Sequence, residues 1–550
     1  MAQLCEVYRH QIQPWLPFVR QADLIAGLPQ RSNKETEYHL NSLYKAVFAG
    51  AWPYTPGFPR SHQERHFDTL HDHALSNLLQ SADMEGIRAA VILQFLLAGK
   101  GRLQGYWGLV SYPMHLAIQT GLHLEDHYLT AEHRAFRRII AFKTDDAQSW
   151  TGKETVRRIF WAIYLQDHFA ALISGQPPQI DTQTIRRLLP CNGNNWFDDL
   201  PVHTHEFVPA TVAIHTQMFE DENIGGLAYL IEATEIQAMV VSFVTGRSHI
   251  ERSARRDIRL SYQEFLNLDL IISGWKAKLP LRFQQASYDP DGYMDHNVTL
   301  AHLVHNTSGI LLYQWPNSIR GMSAADPSVV LQRLLVVKQA AKEIAKICAR
   351  FLLGRMYLVS AQFSQCQFIA ARALLAYSHW VMEPVDEDFE TLRRSLAEAA
   401  KRWEGIDIEA PVDSLDNFAS MLFARLTVDM KRPEGIDLTV PCLELLSKKD
   451  QEGHDAASGE TREGQGRART EAQASAEGGQ NGASGSRSEI TVTGLNGAVR
   501  RQEGDQTVDD MVWGTYDDSW RNMSFLSSNQ DGEFDIDARI FALRNSPGTL

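Results

Sequence analysis

From the first residue to about Leu446, apolar residues recur at three- and four-residue steps, the period of a helix with one face turned inward. The clearest stretch runs from Thr151 to Ser174. Ile159, Phe160, Ile163 and Tyr164 form its stripe. Thr151 and Glu154 fit the S/T-x-x-E pattern, in which each side chain satisfies the other's free backbone donor. Gly175, Pro177 and Pro178 end it, because glycine takes the left-handed turn and proline cannot continue a helix. Glu85–Ala98, with Ile87, Val91, Phe95 and Leu96, reads the same way, as do Val298–Tyr313, Leu331–Leu353 and Ser360–Val381. Strand-like alternation is scarce, and no exact repeat period is found. The pattern predicts an all-α fold, a multi-helix bundle of packed helical hairpins.

The pattern then breaks. From Ser447 to Glu489 there is no Ile, Leu, Val, Met, Phe, Trp or Tyr. Such a stretch cannot bury enough surface to offset chain entropy, which predicts disorder. Aromatics return from about Glu503, now among acids. Three regions are expected: a helical domain over 1–446, a disordered linker over 447–503 and an acidic-aromatic tail over 504–550.

Composition narrows the chemistry. A chain of 550 residues with 44% hydrophobic content has enough apolar material for a large core. Its net charge of -14 argues against the whole chain being a DNA-gripping body, because phosphate neutralisation needs a basic face. Five scattered cysteines, Cys5, Cys191, Cys348, Cys366 and Cys442, give neither a disulfide framework nor a CxxC zinc pair. The first twenty residues have no secretory pattern, and no run of about 18 apolar residues suggests a membrane span.

Catalytic signatures are not found. Gly152-Lys153 is followed by Glu154 instead of Ser or Thr, so no phosphate loop forms. There is no GxSxG elbow and no HExxH. Asp198-Asp199 and Asp145-Asp146 leave the magnesium motif of helical terpene synthases incomplete. His62 and His66 lie four apart, with His71 and His73 close behind, but nothing nearby completes a metal site. His302 and His305 fit packing roles on an apolar helix. Arg247, Arg252, Arg255, Arg256 and Arg259 form a basic run that reads as a solvated helix face, with nuclear import or phosphate contact as the alternative. No catalytic, cofactor or metal residue is assigned.

The tail is the most suggestive local feature. Acids surround Trp513, Tyr516, Asp517, Asp518, Trp520 and Phe525. Acids keep such a segment soluble while the aromatics stay available to a partner groove, which is the composition of an activation segment. The alternative is that the tail docks on its own helical domain.

Several blocks resemble the middle homology region of fungal zinc-cluster transcription factors. Ala117-Ile118-Gln119-Thr120-Gly121-Leu122-His123-Leu124-Glu125-Asp126 is similar to the family's "A-x-x-L-G-L-H-R-D" helix end, with Thr120 in place of Leu and Leu124-Glu125 in place of the basic residue. Glu154-Thr155-Val156-Arg157-Arg158-Ile159-Phe160-Trp161-Ala162-Ile163-Tyr164-Leu165-Gln166-Asp167 resembles its "E-x-R-R-R-x-F-W-x-x-Y-x-x-D". Gly175 to Ile180 resembles "G-R-P-x-x-I", and Leu189-Pro190 its "L-P". Tyr8 with Pro14-Trp15-Leu16-Pro17, and Trp275 through Leu279-Pro280, extend the likeness weakly over about 1–445.

The resemblance implies a nuclear transcription regulator that is not an enzyme, the effector-responsive part of a factor controlling a metabolic pathway. Expected partners are coactivators or corepressors, with a small-molecule effector and a second copy of the chain as candidates, and no membrane. The family reads DNA through six cysteines around two zinc ions. That zinc cluster is absent here, so contact with DNA is expected only indirectly or through a missing module, and no cofactor is expected in this chain. Two rival readings are a helical interaction scaffold and a helical enzyme such as a terpene cyclase. Phe160 and Trp161 are expected in the core. Arg157 and Arg158 need a carboxylate partner, Asp167 or one on another helix.

Overall fold

The computed structural model describes residues 1–28, 41–56, 60–78, 83–142, 149–213, 222–248, 257–284, 295–318, 327–353, 358–405, 410–438 and 440–447. The expected linker and tail, including Trp513 to Phe525, lie outside the described residues, as does the interval 249–256 in the basic run.

The fold is all-helical. Its principal helices are α1 (Ala2–Gln11), α2 (Ser42–Ala51), α3 (Arg60–Leu78), α4 (Met84–Gly99), α5 (Leu103–Gln119), α6 (Ala131–Ile139) and α7 (Trp150–Ser174). They continue with α8 (Gly226–Ser248), α9 (Asp257–Lys278), α10 (His296–Ser318), α11 (Pro327–Leu353), α12 (Ala361–Val381), α13 (Glu387–Trp403) and α14 (Phe418–Lys431). Sequence neighbours pack on one another: α4 on α5, α10 on α11, α11 on α12, α12 on α13 and α13 on α14. These are the expected hairpins. Among the described residues the only β-type pairings are isolated bridges, Leu124 with Arg186, Leu188 with Glu206 and Cys191 with Ile224.

Several helices start where a short polar side chain takes an orphan amide. Asp83 accepts from Gly86, Ser149 from Gly152, Ser360 from Phe363 and Asn417 from Ser420, the usual N-cap arrangement. The Thr151–Glu154 capping box is not formed. Ser149 caps the helix two residues earlier, and Glu154 is drawn into tertiary contacts described below. At the other end Gly175 adopts φ 69°, as the terminating glycine should.

α7 is central. It packs against α4, α5 and α8, and nearly all of its residues are buried, Ile159, Phe160 and Trp161 completely. The apolar stripe therefore understates it: this helix is covered all round, as a core helix of a large body must be. Among the described residues α8 is the one helix long and apolar enough to cross a membrane, over Gly226–Thr245, yet 78% of that window is buried inside the body. Thr234, Glu235 and Gln237, all buried, stand among its apolar residues, so the stretch holds no unbroken run of about 18 apolar residues.

Candidate functional site

The signature residues of α7 assemble a buried ionic hub. Glu154 is 1% exposed. Its Oε1 accepts from Arg158 Nε at 2.9 Å and from the Cys191 amide at 2.9 Å. Its Oε2 lies 3.5 Å from Arg157 Nη1. Arg157 makes a two-pronged contact with Glu125, Nε to Oε1 at 2.8 Å and Nη2 to Oε2 at 3.1 Å, the geometry in which guanidinium and carboxylate match best. Arg158 donates from Nη2 to the Cys191 carbonyl at 2.6 Å and from Nη1 to the Pro17 carbonyl at 3.2 Å, and its guanidinium lies 4.4 Å from the Trp196 ring centre.

Glu154 and two arginines of α7 thus tie together the opening segment, the turn after α5 with its Glu125, and the segment 186–196. Arg187 joins from that segment. It donates from Nη1 to the Leu124 carbonyl, and its Nε lies 3.5 Å from Glu125 Oε1. Burial pushes the Arg187 pKa down to about 10. Burial alone would raise Glu125, but the Arg157 hydrogen bonds and the nearby Arg187 charge overcome it and hold the carboxylate below its usual range.

Asp167 is not the arginine partner. Its carboxylate instead accepts the backbone amides of Gln179 at 3.0 Å and Ile180 at 2.9 Å. It staples the turn that follows Gly175 back onto the helix, which explains why an acid sits twelve residues before that turn. The aromatic residues are interior packing. Trp161 Nε1 donates to the Leu188 carbonyl at 2.9 Å, and its ring meets Phe160, Tyr164 and Phe207. His168 Nδ1 is 2.9 Å from the Tyr164 carbonyl, and burial drives its pKa down to about 3.

Other sequence candidates separate. His66 lies against Trp52, and His71 against Phe67 and Asp72; the His62 side chain lies outside the described residues. Among the described residues no three His, Cys, Asp or Glu side chains are grouped to hold a metal. His302 and His305 place Nε2 at 2.8 Å from the Phe283 carbonyl and 3.0 Å from the Ile272 carbonyl, as expected of packing histidines. The side chains of Arg247, Arg252, Arg255, Arg256 and Arg259 lie outside the described residues. Asp199 meets the Thr151 hydroxyl.

Two buried polar features escaped the sequence reading. Arg372 Nε binds Asp429 Oδ2 at 2.7 Å, joining α12 to α14. Glu235 on α8 is 3% exposed and accepts the Ala210 amide at 3.0 Å. Burial raises its pKa to about 8, and Glu232 one turn earlier adds to the rise. A carboxyl with a folded pKa above its unfolded value contributes stability that is complete below about 4.5 and lost as pH rises toward about 8. His123 and His168, with pKa values depressed by burial to about 4 and about 3, act oppositely: their contribution is present above the unfolded value of 6.5 and lost as pH falls. Glu235→Gln is therefore expected to flatten the stability decline between pH 5 and 8, removing up to ~1.4 kcal/mol per pH unit. Urea midpoints across that range measure this, and an unchanged alkaline slope contradicts it.

Two small cavities lie among the described residues. One, about 40 Å³, is lined by Trp15, Phe95, Leu165, Gln166, Ser360 and Gln362. The other, about 30 Å³, lies under residues 438–445. Each accommodates about one water, whereas small-molecule pockets run to ~300 Å³ or more.

Residues 7–265 match the family model described as the fungal specific transcription factor domain. The likeness to a fungal specific transcription factor domain thus covers just under half of the chain. The matched span contains every side chain of the ionic hub, from the Pro17 carbonyl to Trp196. Its end at 265 falls inside α9, so the helical body continues past the match, and Trp275 to Pro280 lies beyond it. No curated protein and no solved structure matches the chain. This is a regulatory domain of transcription factors, and transcription regulation is the role it supports.

All five cysteines are buried and free, and burial raises the thiols of Cys191, Cys348, Cys366 and Cys442 to about 12. These are thiols kept protonated, the opposite of what a metal-ligating thiolate needs.

Proposed function

We propose that this chain is the regulatory part of a fungal zinc-cluster-type transcription factor, acting in the nucleus on genes of a metabolic pathway, and not an enzyme. The observation that carries this reading is the match of residues 7–265 to the transcription factor domain, whose polar signature residues are spent on holding the body together. In this reading the body is a scaffold that presents interaction segments. Coactivators or corepressors are the partners, and contact with DNA comes through a separate zinc-cluster module. An effector entering either of these two cavities must open space, since each holds about one water.

The acidic-aromatic segment around Trp513, Tyr516, Asp517, Asp518, Trp520 and Phe525 is the proposed contact for the transcription machinery. Fused to a foreign DNA-binding module, residues 504–550 are expected to raise a reporter about tenfold or more, and replacement of Trp513, Trp520 and Phe525 by Ala to abolish the gain. A silent fusion removes the activation role.

A further inference from the structure

The described chain ends in a strap. After α14 the backbone turns through Pro433–Gly435, has no regular structure over 436–438, and closes a last helical turn over 442–447. Leu438, Cys442 and Leu445 point inward, exposed by 3%, 4% and 4%. They fill a groove whose floor comes from Leu172 at the end of α7, Val241 and Val244 on α8, and Phe368 and Ile369 on α12. Pro441 sits so close to Gly175 that a β-carbon there would overlap its ring.

Several features set this strap apart from the helices under it. Its backbone hydrogen bonds are local: the Ile436 amide donates to the Pro433 carbonyl and the Leu445 amide to the Pro441 carbonyl, both at 3.2 Å. The groove beneath it is imperfectly filled. It retains the cavity of about 30 Å³ and leaves the buried Oε1 of Gln365 without a partner. The charged group in the floor, Arg372, is already paired with Asp429 on α14. Lifting the strap therefore breaks no ion pair of Arg372. Its buried apolar side chains, Leu438, Cys442 and Leu445, work against the chain entropy that detachment releases.

We propose that residues 436–447 are a detachable latch, leaving the groove as one unit while the helical body stays folded. Its release uncovers the apolar floor on α7, α8 and α12. This device is independent of what the domain regulates.

Cys442 reports the event directly, because it is the cysteine carried by the strap, while Cys348 and Cys366 lie fully buried in α11 and α12. The full chain is treated with iodoacetamide under native conditions, and each site is followed by peptide mass spectrometry, with Cys442→Ser as the assignment control. Cys442 is expected to label about 100-fold faster than Cys348 and Cys366, as a local opening requires. The double variant Leu438→Ala/Leu445→Ala is expected to speed Cys442 a further tenfold or so and leave the other two unchanged. Equal rates at all three sites in the wild type would overturn the latch. Acceleration of all three by the double variant would also overturn it, since the strap would then be part of the global fold.

Discussion

Glu154→Gln is expected to cost the helical body about 3–5 kcal/mol, the range for breaking a buried ion pair from one side. The variant removes charge and keeps shape. It leaves Arg158, 2% exposed, with its Nε facing a neutral amide, and it weakens the link to Arg157. The Cys191 amide keeps an acceptor, so the loss is assigned to the charge and not to the backbone hydrogen bond. A matched double variant, Glu154→Leu with Arg158→Met, is expected to cost much less than the two single changes added together, because no charge is then left buried alone. Urea unfolding of the wild type, Glu154→Leu, Arg158→Met and the double variant gives this cycle. Additive losses would mean that the two side chains do not act as a pair.

Trp403→Ala is the second large effect, also about 3–5 kcal/mol by the usual cost of emptying an aromatic site. Trp403 ends α13 and is 2% exposed. Its ring lies 5.8 Å from that of Phe95, and its face is pressed so tightly on Gly99 that a β-carbon there would overlap it. Phe95 and Gly99 lie on α4, inside the span matched to the transcription factor domain, while Trp403 lies far outside it. The substitution is thus expected to lower the unfolding midpoint seen by probes in the matched span and beyond it together. A separate, unshifted transition for the matched span would show that it folds on its own. Gly99→Ala, which overfills the same contact, is expected to act in the same direction with a smaller loss, about 1–3 kcal/mol.

Much of the fold was readable in the sequence because helix packing writes itself as a period. The stripe in Thr151–Ser174 gave a helix observed one residue longer at its start, and Ser360 was marked as the edge of the helix it caps. What failed was local pattern taken without tertiary context. Thr151 and Glu154 have the spacing of a capping box, but Glu154 gains more from Arg158 and the Cys191 amide than from a helix end. The Glu154–Arg158 pair itself was legible, since residues four apart on a helix meet. Glu125 was visible only as a departure from the family pattern, and nothing local ties it to Arg157, thirty-two residues on. Arg372 and Asp429, fifty-seven residues apart, carried no signal at all.

The same contrast explains the signature block. A sequence reading can name Phe160 and Trp161 as core, because apolar residues have one plausible place. It cannot tell whether adjacent arginines face a ligand, a nucleic acid or a buried carboxylate. Geometry answers for this chain: both guanidiniums are used internally, on Glu125, Glu154 and two backbone carbonyls.

The most direct measurement brings the full chain to a reporter promoter through a foreign DNA-binding module and reads transcript output beside the module alone. Regulation by this body predicts output changed several-fold in either direction, with Glu154→Gln abolishing the change as folded protein is lost. A nuclear, folded fusion that leaves the transcript level unaltered would contradict it.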